Sequence, residues 1–365
     1  MVRRIRNQKT MAKVNLKDYF CLHPFIYTEF HRDWANGSPR ETQYLCCPDW
    51  NNVNIAVSDN LLENWNSDAA KKVREGHVSG NFIGCNPVNC PAYNTLLNTG
   101  KPAGSIRPIS EYSPERFNQV GPVRVKICSD DACNFRCPTC RVDLYPNTPE
   151  KTEKTNKLLQ SITRDYGPTL RELYLSGGGD PFYSNPIRNF FINLNTEDFP
   201  KLDSIIIHTN ASLWTEKLWN QMPAIHPFVK DCEISIDAAT KDTYENKTRL
   251  GGKWDVLMEN LEFIKNIKTI NRIWFSFVVQ QNNFREMEAF ILLINDLFKD
   301  SKIEKIIQLQ KVVQWPSISD EKYKQMKIWE PTNPEYDDFV KELEKVKKYD
   351  NIFHNLNEHV KKDMI

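Results

Sequence analysis

From residue 122 onward, short runs rich in β-branched and aromatic residues alternate with longer helical patterns. We recognise six strand–helix units, with strands predicted at residues 123–128, 172–176, 204–209, 232–237, 273–280 and 304–311. Helices are predicted between them, at residues 150–164, 185–194, 254–267 and 283–298. Because parallel strands require a long crossover connection, this alternation predicts an α/β fold with a parallel sheet.

The predicted strands carry apolar residues at one parity and polar residues at the other. Ile205 and Ile207, for example, alternate with Ser204 and His208. A parallel sheet covered on both faces would be apolar at both parities, and the interior of a filled eight-stranded barrel would be mostly apolar. We therefore expect a partial (β/α)6 barrel, incompletely closed, with helices on its apolar face and a polar lumen for ligands. A flat sheet with one solvated face is the alternative.

Charge gives no reason to expect nucleic acid or an anionic membrane as a partner, because 48 basic residues nearly balance 47 acidic ones. The basic stretch at residues 1–9 is not followed by the apolar segment of a secretion signal. We expect a cytoplasmic protein without a membrane association. Met11 is an alternative start, and residues 1–10 are expected to be a disordered extension.

Composition suggests several segments before and after the barrel, which is expected at residues 122–312. Residues 11–100 hold many aromatic residues and five of the ten cysteines, as a small metal-stapled domain would. Residues 101–121 are rich in proline and glycine and read as a linker. Residues 313–365 form a C-terminal extension with one predicted helix at 336–348. Ten cysteines in a cytoplasmic chain indicate metal or redox chemistry rather than disulfides.

Three cysteines follow the first predicted barrel strand with the spacing Cys133, Cys137 and Cys140. A closed zinc site needs four ligands, so three thiolates leave one metal position open. They also lie at the carboxyl end of a strand, where α/β sheets place their ligand sites. Zinc with Cys128 as a fourth thiolate is the alternative.

This cysteine spacing resembles that of the radical S-adenosylmethionine (SAM) superfamily. The resemblance implies a 4Fe-4S cluster on the three cysteines, with SAM bound at the open iron. Gly178, Gly179 and Asp180 resemble the Gly-Gly-Glu motif with which the family holds the amino group of SAM. The ends of the third and fourth strands resemble the family's ribose and carboxylate contacts, at Thr209, Asn210, Ser235 and Asp237.

The N-terminal cysteines, with Gly37 between them, resemble the auxiliary-cluster module called SPASM or twitch. The resemblance implies a second 4Fe-4S cluster. Its expected ligands are Cys21, Cys46, Cys85 and Cys90, with Cys47 as the alternative to Cys46. Four thiolates would saturate such a cluster, and a structural zinc site is the alternative because zinc accepts the same ligands.

The function that the resemblance implies is reductive cleavage of SAM to a 5′-deoxyadenosyl radical, which abstracts hydrogen from a substrate C–H bond. A reducing protein such as flavodoxin or ferredoxin would supply the electron. We expect a maturase that modifies a peptide or protein. The alternatives are a dehydrogenase or epimerase of a sugar, aminocyclitol or other small polar metabolite, and, outside enzymes, a zinc-stapled binding protein.

The first predicted barrel strand carries three further polar residues, Arg124, Lys126 and Cys128. Cys128 has the parity of Arg124 and Lys126 and is a hypothetical hydrogen-atom donor. Arg124 and Lys126 are expected either to bind a substrate anion or to pair with Glu172 and Glu233. The lone Cys232 has the apolar parity and is expected to be a buried small hydrophobic residue.

Overall fold

The structure is a computed structural model that describes residues 14–32, 41–117, 120–175, 178–315 and 317–356. The expected extension at residues 1–10 and Gly37 lie outside these ranges. The chain divides into two compact units. The first holds the chain up to Ser129, with Leu158–Glu172 and Glu197–Lys201, and the second holds Asp130–Lys157, Leu173–Thr196 and the chain from Leu202.

The first unit combines short strands with short helices. Its strands are β1 (Tyr19–Cys21), β2 (Tyr27–Arg32), β3 (Glu41–Tyr44), β4 (Ile106–Pro108) and β5 (Arg124–Ile127). Its helices are α1 (His23–Ile26), α2 (Leu61–Trp65), α3 (Asp68–Val78), α4 (Pro91–Thr99) and α5 (Pro114–Phe117). Strand β2 pairs in parallel with β5 and antiparallel with β3, while β1 pairs antiparallel with β4. The segment expected to be a linker, residues 101–121, therefore contributes β4 and α5 to this unit.

Two local signals define helices in the first unit. Ser67 precedes α3, and its side chain accepts a hydrogen bond from the amide of Ala70, as an N-cap residue does. Gly100 ends α4 with a φ of 73°, a left-handed conformation that glycine adopts without steric cost. Both residues can be recognised in the sequence. Ser67 defines the start of α3, and Gly100 defines the end of α4.

The second unit contains the rest of the strand–helix alternation; the division falls within α6 (Pro149–Tyr166) and after the first residue of β6 (Glu172–Leu175). Its further strands are β7 (Ser204–Thr209), β8 (Asp231–Ser235), β9 (Arg272–Val279), β10 (Glu304–Lys311) and β11 (Ile352–His354). Its further helices are α7 (Asn185–Ile192), α8 (Glu216–Trp219), α9 (Lys241–Thr243), α10 (Trp254–Ile264), α11 (Met287–Leu297), α12 (Asp320–Met326) and α13 (Tyr336–Val346).

These six strands lie side by side in the order β6-β7-β8-β9-β10-β11. From β7 to β11 every neighbouring pair is parallel. The predicted α/β class with a large parallel sheet is confirmed. Strand β11 was not predicted, because three residues are too few for a periodic signal.

The predicted parity of the strands is also found. Ile205, Ile207 and Phe275 are fully buried, whereas His208 and Glu233 are partly exposed. Helix α11 covers the apolar face of β9, where the rings of Phe277 and Phe290 lie 4.9 Å apart. Cys232, expected to be a buried hydrophobic residue, is 1% exposed. No helix in the described residues is both long enough and apolar enough to cross a membrane.

Candidate active site

A tight loop in the second unit presents the three predicted cluster cysteines. The amides of Cys140 and Arg141 both donate to the carbonyl oxygen of Cys137, at 2.9 and 3.0 Å. Further back, the amide of Cys133 donates to the carbonyl oxygen of Tyr145 at 2.9 Å. Backbone hydrogen bonds therefore hold all three cysteines in place without using their thiol groups.

The glycine segment predicted to contact SAM packs directly against this cysteine loop. The amide of Asp180 donates to the carbonyl oxygen of Ala132 at 2.8 Å. A Cβ atom on Gly179 would lie 2.2 Å from that same oxygen, so only glycine fits here. Arg141 links the two segments as well, donating to the carbonyl oxygens of Asp131 at 2.8 Å and Gly178 at 2.6 Å. The glycine segment and the cysteine loop thus pack directly against each other.

The carboxylate of Asp180 is 2% exposed and accepts four hydrogen bonds from the protein. One oxygen accepts from the amides of Phe182 and Tyr183, and the other accepts from the Thr209 hydroxyl at 2.7 Å and the Asn210 amide at 2.8 Å. A carboxylate has about four acceptor positions, so all of them are used. An ammonium group would have to displace one of these donors, and Asp180 already has a structural role in joining the ends of β6 and β7.

The other predicted SAM contacts form a chain of polar side chains that reaches the cysteine loop. The Asn210 amide donates to the side chain of Asn134 at 3.0 Å and lies 4.0 Å from the sulfur of Cys133. Ser235, at the end of β8, is 2.9 Å from the imidazole of His208. The structure therefore brings Thr209 and Asn210 to the cluster loop, and it places Ser235 on the polar face of the sheet.

Asp237 forms a buried ion pair with Arg249, a residue that the sequence did not single out. The distance is 2.8 Å, and the two side chains are 1% and 11% exposed. Asp237 also accepts a hydrogen bond from the amide of Val278 at 2.7 Å, and Arg249 lies 3.6 Å from the sulfur of Cys137. Burial raises the pKa of Asp237, although the positive charge of Arg249 opposes this effect.

The backbone of Asp237 is strained, with a φ of 60°. A non-glycine residue in this region costs about 1–3 kcal/mol, and such strain concentrates at functional sites. This strained residue follows the carboxyl end of β8, and its carboxylate forms the ion pair with Arg249.

Burial and two arginines act in opposite directions on the thiols of the loop. Burial raises the pKa of Cys133 to about 12, and it also raises the pKa of Cys137. Metal ligation requires the deprotonated thiolate, so a positively charged metal must offset this burial. Arg141 and Arg249 each approach a cysteine sulfur at 3.6 Å and add to the positive potential.

Sulfur spacing distinguishes a cluster from a single ion. Tetrahedral zinc places its sulfur ligands about 3.8 Å apart. Across the described ranges, no three ligand atoms that include Cys133, Cys137 or Cys140 all lie within 4.8 Å of one another. The sulfurs of the loop therefore lie farther apart than the sulfur ligands of one bound zinc ion.

Several buried polar atoms near the carboxyl ends of the strands lack a hydrogen-bond partner among the described residues. Within the described part of the chain, the Tyr244 hydroxyl, the Arg249 Nε and both polar atoms of the Gln280 side chain have no hydrogen-bond partner. Such groups are costly unless a ligand satisfies them. Gln280 directly follows β9, so it lies at the same carboxyl edge as Asp237. The residues present therefore fit a polar cofactor at this edge.

The polar face of the sheet carries a hydrogen-bonded group next to this edge. The Tyr174 hydroxyl on β6 donates to Glu233 on β8 at 3.2 Å and lies 3.5 Å from His208 on β7. All three side chains are partly exposed. They offer hydroxyl, imidazole and carboxylate groups to a substrate.

The four predicted auxiliary ligands line one cavity of about 370 Å³ in the first unit. These are Cys21, Cys46, Cys85 and Cys90. Cys47, the alternative to Cys46, is not among the residues that line it. As in the cysteine loop, no three ligand atoms of this cavity all lie within 4.8 Å of one another among the described residues. The spacing is wider than a single zinc ion requires.

Several side chains approach the sulfurs of this cavity. His23 lies 3.4 Å from Cys46, and His77 lies 3.4 Å from Cys85. Burial lowers the pKa of both histidines to about 4. Neutral imidazoles near metal thiolates tune a cluster through hydrogen bonds, without changing its charge.

The remaining polar positions lie on β5 and just after it, in the first unit. Arg124 pairs with Glu172 at 3.0 Å, as one of the two alternatives predicted. Lys126 pairs with Glu29 at 3.5 Å, and the thiol of Cys128 donates to Glu29 at 3.3 Å. The hypothesis that Cys128 donates a hydrogen atom stays a prediction.

Sequence reasoning missed several residues that hold the cysteine loop. Arg141 and Arg249 are single arginines, and an isolated arginine carries no pattern. The position of Arg141 next to the last cysteine, and the Gly251-Gly252 pair after Arg249, were the available signals. Ser317, whose hydroxyl donates to the carbonyl oxygen of Cys140 at 2.8 Å, had no sequence signal.

No family model and no curated protein sequence matches the chain. Among solved structures, it is similar to Streptococcus suis SuiB bound to its precursor peptide SuiA, with 12% identity and a TM-score of 0.42. The match covers 93% of this chain and 71% of SuiB. It is also similar to anSMEcpe with bound AdoMet and Cp18Cys peptide, with 18% identity and a TM-score of 0.42 over 61% of this chain.

Both neighbours are radical SAM enzymes. The chain spans 58% of the length of anSMEcpe. At this low similarity neither activity nor substrate transfers to the chain, so both are argued from the site.

Proposed function

We propose that this chain is a radical SAM enzyme whose second unit binds a 4Fe-4S cluster through Cys133, Cys137 and Cys140. The observation that carries the proposal is the cysteine loop, held by backbone hydrogen bonds and packed closely against Gly179. When bound, the cluster supplies the electron that cleaves SAM to methionine and a 5′-deoxyadenosyl radical.

The chain's own residues orient the reactants and exclude water. The side chain of Arg141 and the backbone amide of Asp180 hold the cysteine loop against the glycine segment. The Gln280 amide and the Tyr244 hydroxyl are buried and lack a hydrogen-bond partner among the described residues, so both could accept a bond from a polar group of SAM if the site opens to it. Tyr174, His208 and Glu233 present polar groups to the substrate.

Anaerobic reconstitution tests this proposal. The reconstituted protein should contain iron and sulfide, and it should form 5′-deoxyadenosine and methionine from SAM when dithionite is added. Cys137→Ser should lose both properties. Cys232→Ser makes the same chemical change at a buried cysteine away from the loop and should keep both. Zinc without iron, or clusters without SAM cleavage, would contradict the proposal.

For the first unit, we propose a second 4Fe-4S cluster held by Cys21, Cys46, Cys85 and Cys90. Its support is their convergence on one cavity. Two clusters correspond to about eight irons per chain. Cys85→Ser should lower this to about four, whereas a structural zinc site would leave about four irons in both proteins.

The substrate class that we propose is a peptide or protein, with a flavodoxin or ferredoxin as reductant. The resemblance of the N-terminal cysteines to the SPASM or twitch module supports this, because many peptide-modifying relatives carry that module. The polar group of Tyr174, His208 and Glu233 favours a second candidate, a small polar metabolite. Mass spectrometry of peptides encoded near this reading frame, incubated with SAM and enzyme, separates the two: a mass change in a peptide supports the maturase.

A further inference from the structure

A second group of potential metal ligands lies in the first unit, outside both cysteine sites. Glu29 and His31 project from β2, and Cys128 follows β5. Their ligand atoms all lie within 4.8 Å of one another. In the described part of the chain, no other three such ligand atoms come this close together. Neither proposed cluster uses these residues.

Strand register explains why the three meet. Glu29 and His31 are two residues apart, so both side chains lie on one face of β2. Strand β5 pairs with β2 so that Glu29 stands beside Lys126, and the amide of Cys128 donates to the carbonyl oxygen of Phe30. Cys128 therefore extends the same face. The backbone, rather than flexible side chains, sets the positions of all three groups.

The contacts converge on one carboxylate oxygen. The Oε1 atom of Glu29 is 2.6 Å from the Nε2 of His31 and 3.3 Å from the sulfur of Cys128, with the ammonium of Lys126 at 3.5 Å. The Oε2 atom accepts from the Tyr27 hydroxyl at 2.6 Å. Glu29 is almost fully buried. Two of the three groups around Oε1, the imidazole of His31 and the thiol of Cys128, are of types that bind zinc.

We propose that Glu29, His31 and Cys128 form a zinc site. One oxygen, one nitrogen and one sulfur ligand suit zinc, whereas calcium and magnesium require mainly oxygen. Tetrahedral zinc places such ligand atoms about 3.3–3.8 Å apart, so metal entry requires only small shifts of the side chains. Three protein ligands leave a fourth position for water. Zinc binding releases protons from ligands that carry them, the Cys128 thiol among these.

Replacing Lys126 and removing a ligand are expected to change the zinc affinity in opposite directions. Its ammonium neutralises Glu29 in the metal-free site but repels a bound dication. Removing a ligand should weaken zinc binding by at least about 100-fold, since even outer partners of a metal ligand are worth about 10–100-fold. Replacing Lys126 by methionine should instead strengthen binding.

The test uses the anaerobically reconstituted protein, incubated with zinc and desalted, with zinc and iron both measured by mass spectrometry. We expect about one zinc per chain beyond the iron. X-ray absorption at the zinc edge should show one sulfur and two or three nitrogen or oxygen ligands. Glu29→Gln and Cys128→Ser should lose the zinc and keep the iron. The matched control Cys232→Ser should keep both metals.

Three outcomes overturn the proposal. The first is a protein that takes up no zinc, and the second is a Lys126→Met variant that does not bind zinc more tightly. The third is zinc with four sulfur ligands that is lost in Cys85→Ser rather than in Cys128→Ser, because that zinc occupies the auxiliary cavity. Since the readout is zinc and not SAM cleavage, failure here is distinguishable from failure of the proposed enzyme function.

Discussion

The buried pair between Asp237 and Arg249 allows a quantitative prediction. In Arg249→Met, the carboxylate of Asp237 stays buried and loses its positive partner. Removing one partner of a buried ion pair costs about 3–5 kcal/mol. The amide of Val278 donates to this carboxylate, so its hydrogen exchange reports the local stability. At pH 8 we expect its protection to fall by at least about 100-fold, which corresponds to about 3 kcal/mol.

The pH dependence of this protection shows whether the unpaired charge of Asp237 causes the loss. Burial already raises the pKa of Asp237, and loss of Arg249 raises it further. A carboxyl group with a raised pKa in the folded state favours folding below its unfolded pKa, and this contribution is lost as pH rises through the folded pKa. Protection in Arg249→Met should therefore recover as pH falls from 8 to 5, by up to about tenfold per pH unit.

Two further variants control this experiment. Arg249→Met combined with Asp237→Asn has no buried charge, so its exchange should regain protection and lose the pH dependence. Arg285→Met breaks a half-exposed pair with Asp338 and should cost less than about 1 kcal/mol. A loss below about fivefold in Arg249→Met, or one that does not change with pH, would refute the electrostatic account.

The remaining predictions concern both units. Gly179→Ala should abolish cluster retention and SAM cleavage, because its Cβ would lie 2.2 Å from the Ala132 oxygen; normal iron content would contradict this. Cys46→Ser should halve the iron content, whereas Cys47→Ser should leave it unchanged; the reverse result would exchange their roles. Ser67→Ala removes the cap of α3 and should cost about 1 kcal/mol, seen as a melting temperature lower by about 2–4 °C.

The strands were the most predictable part of the fold, because one buried face imposes a period of two on the sequence. For β7 and β10 the predicted first and last residues are the observed ones. The bounds of the other four predicted strands differ from the observed bounds by at most two residues. Helix α11 begins at Met287, four residues later than predicted. The side chain of Asn283 donates to backbone carbonyl oxygens of Asp237 and Val278, and a 3₁₀ turn at Phe284–Glu286 precedes the helix.

The candidate site was predictable only where residue type and spacing form a pattern. The cysteines and glycines are such patterns, since metal ligation and close backbone approach each restrict the residue type. Arg141 and Arg249 act through tertiary contacts that no local window contains. The full hydrogen bonding of Asp180 was likewise invisible, because it depends on Thr209 and Asn210 at the end of another strand.

The bond between Ser317 and Cys140 spans 177 residues of sequence. Chains are synthesised from the N-terminus at about 5–20 residues per second, so roughly 10–35 s separate the emergence of the two residues from the ribosome. The cysteine loop therefore reaches its final form only when most of the chain has been translated. All four cysteines of the auxiliary cavity, by contrast, precede residue 91. For the two clusters proposed above, the auxiliary cysteines thus leave the ribosome before the contact that completes the cysteine loop can form.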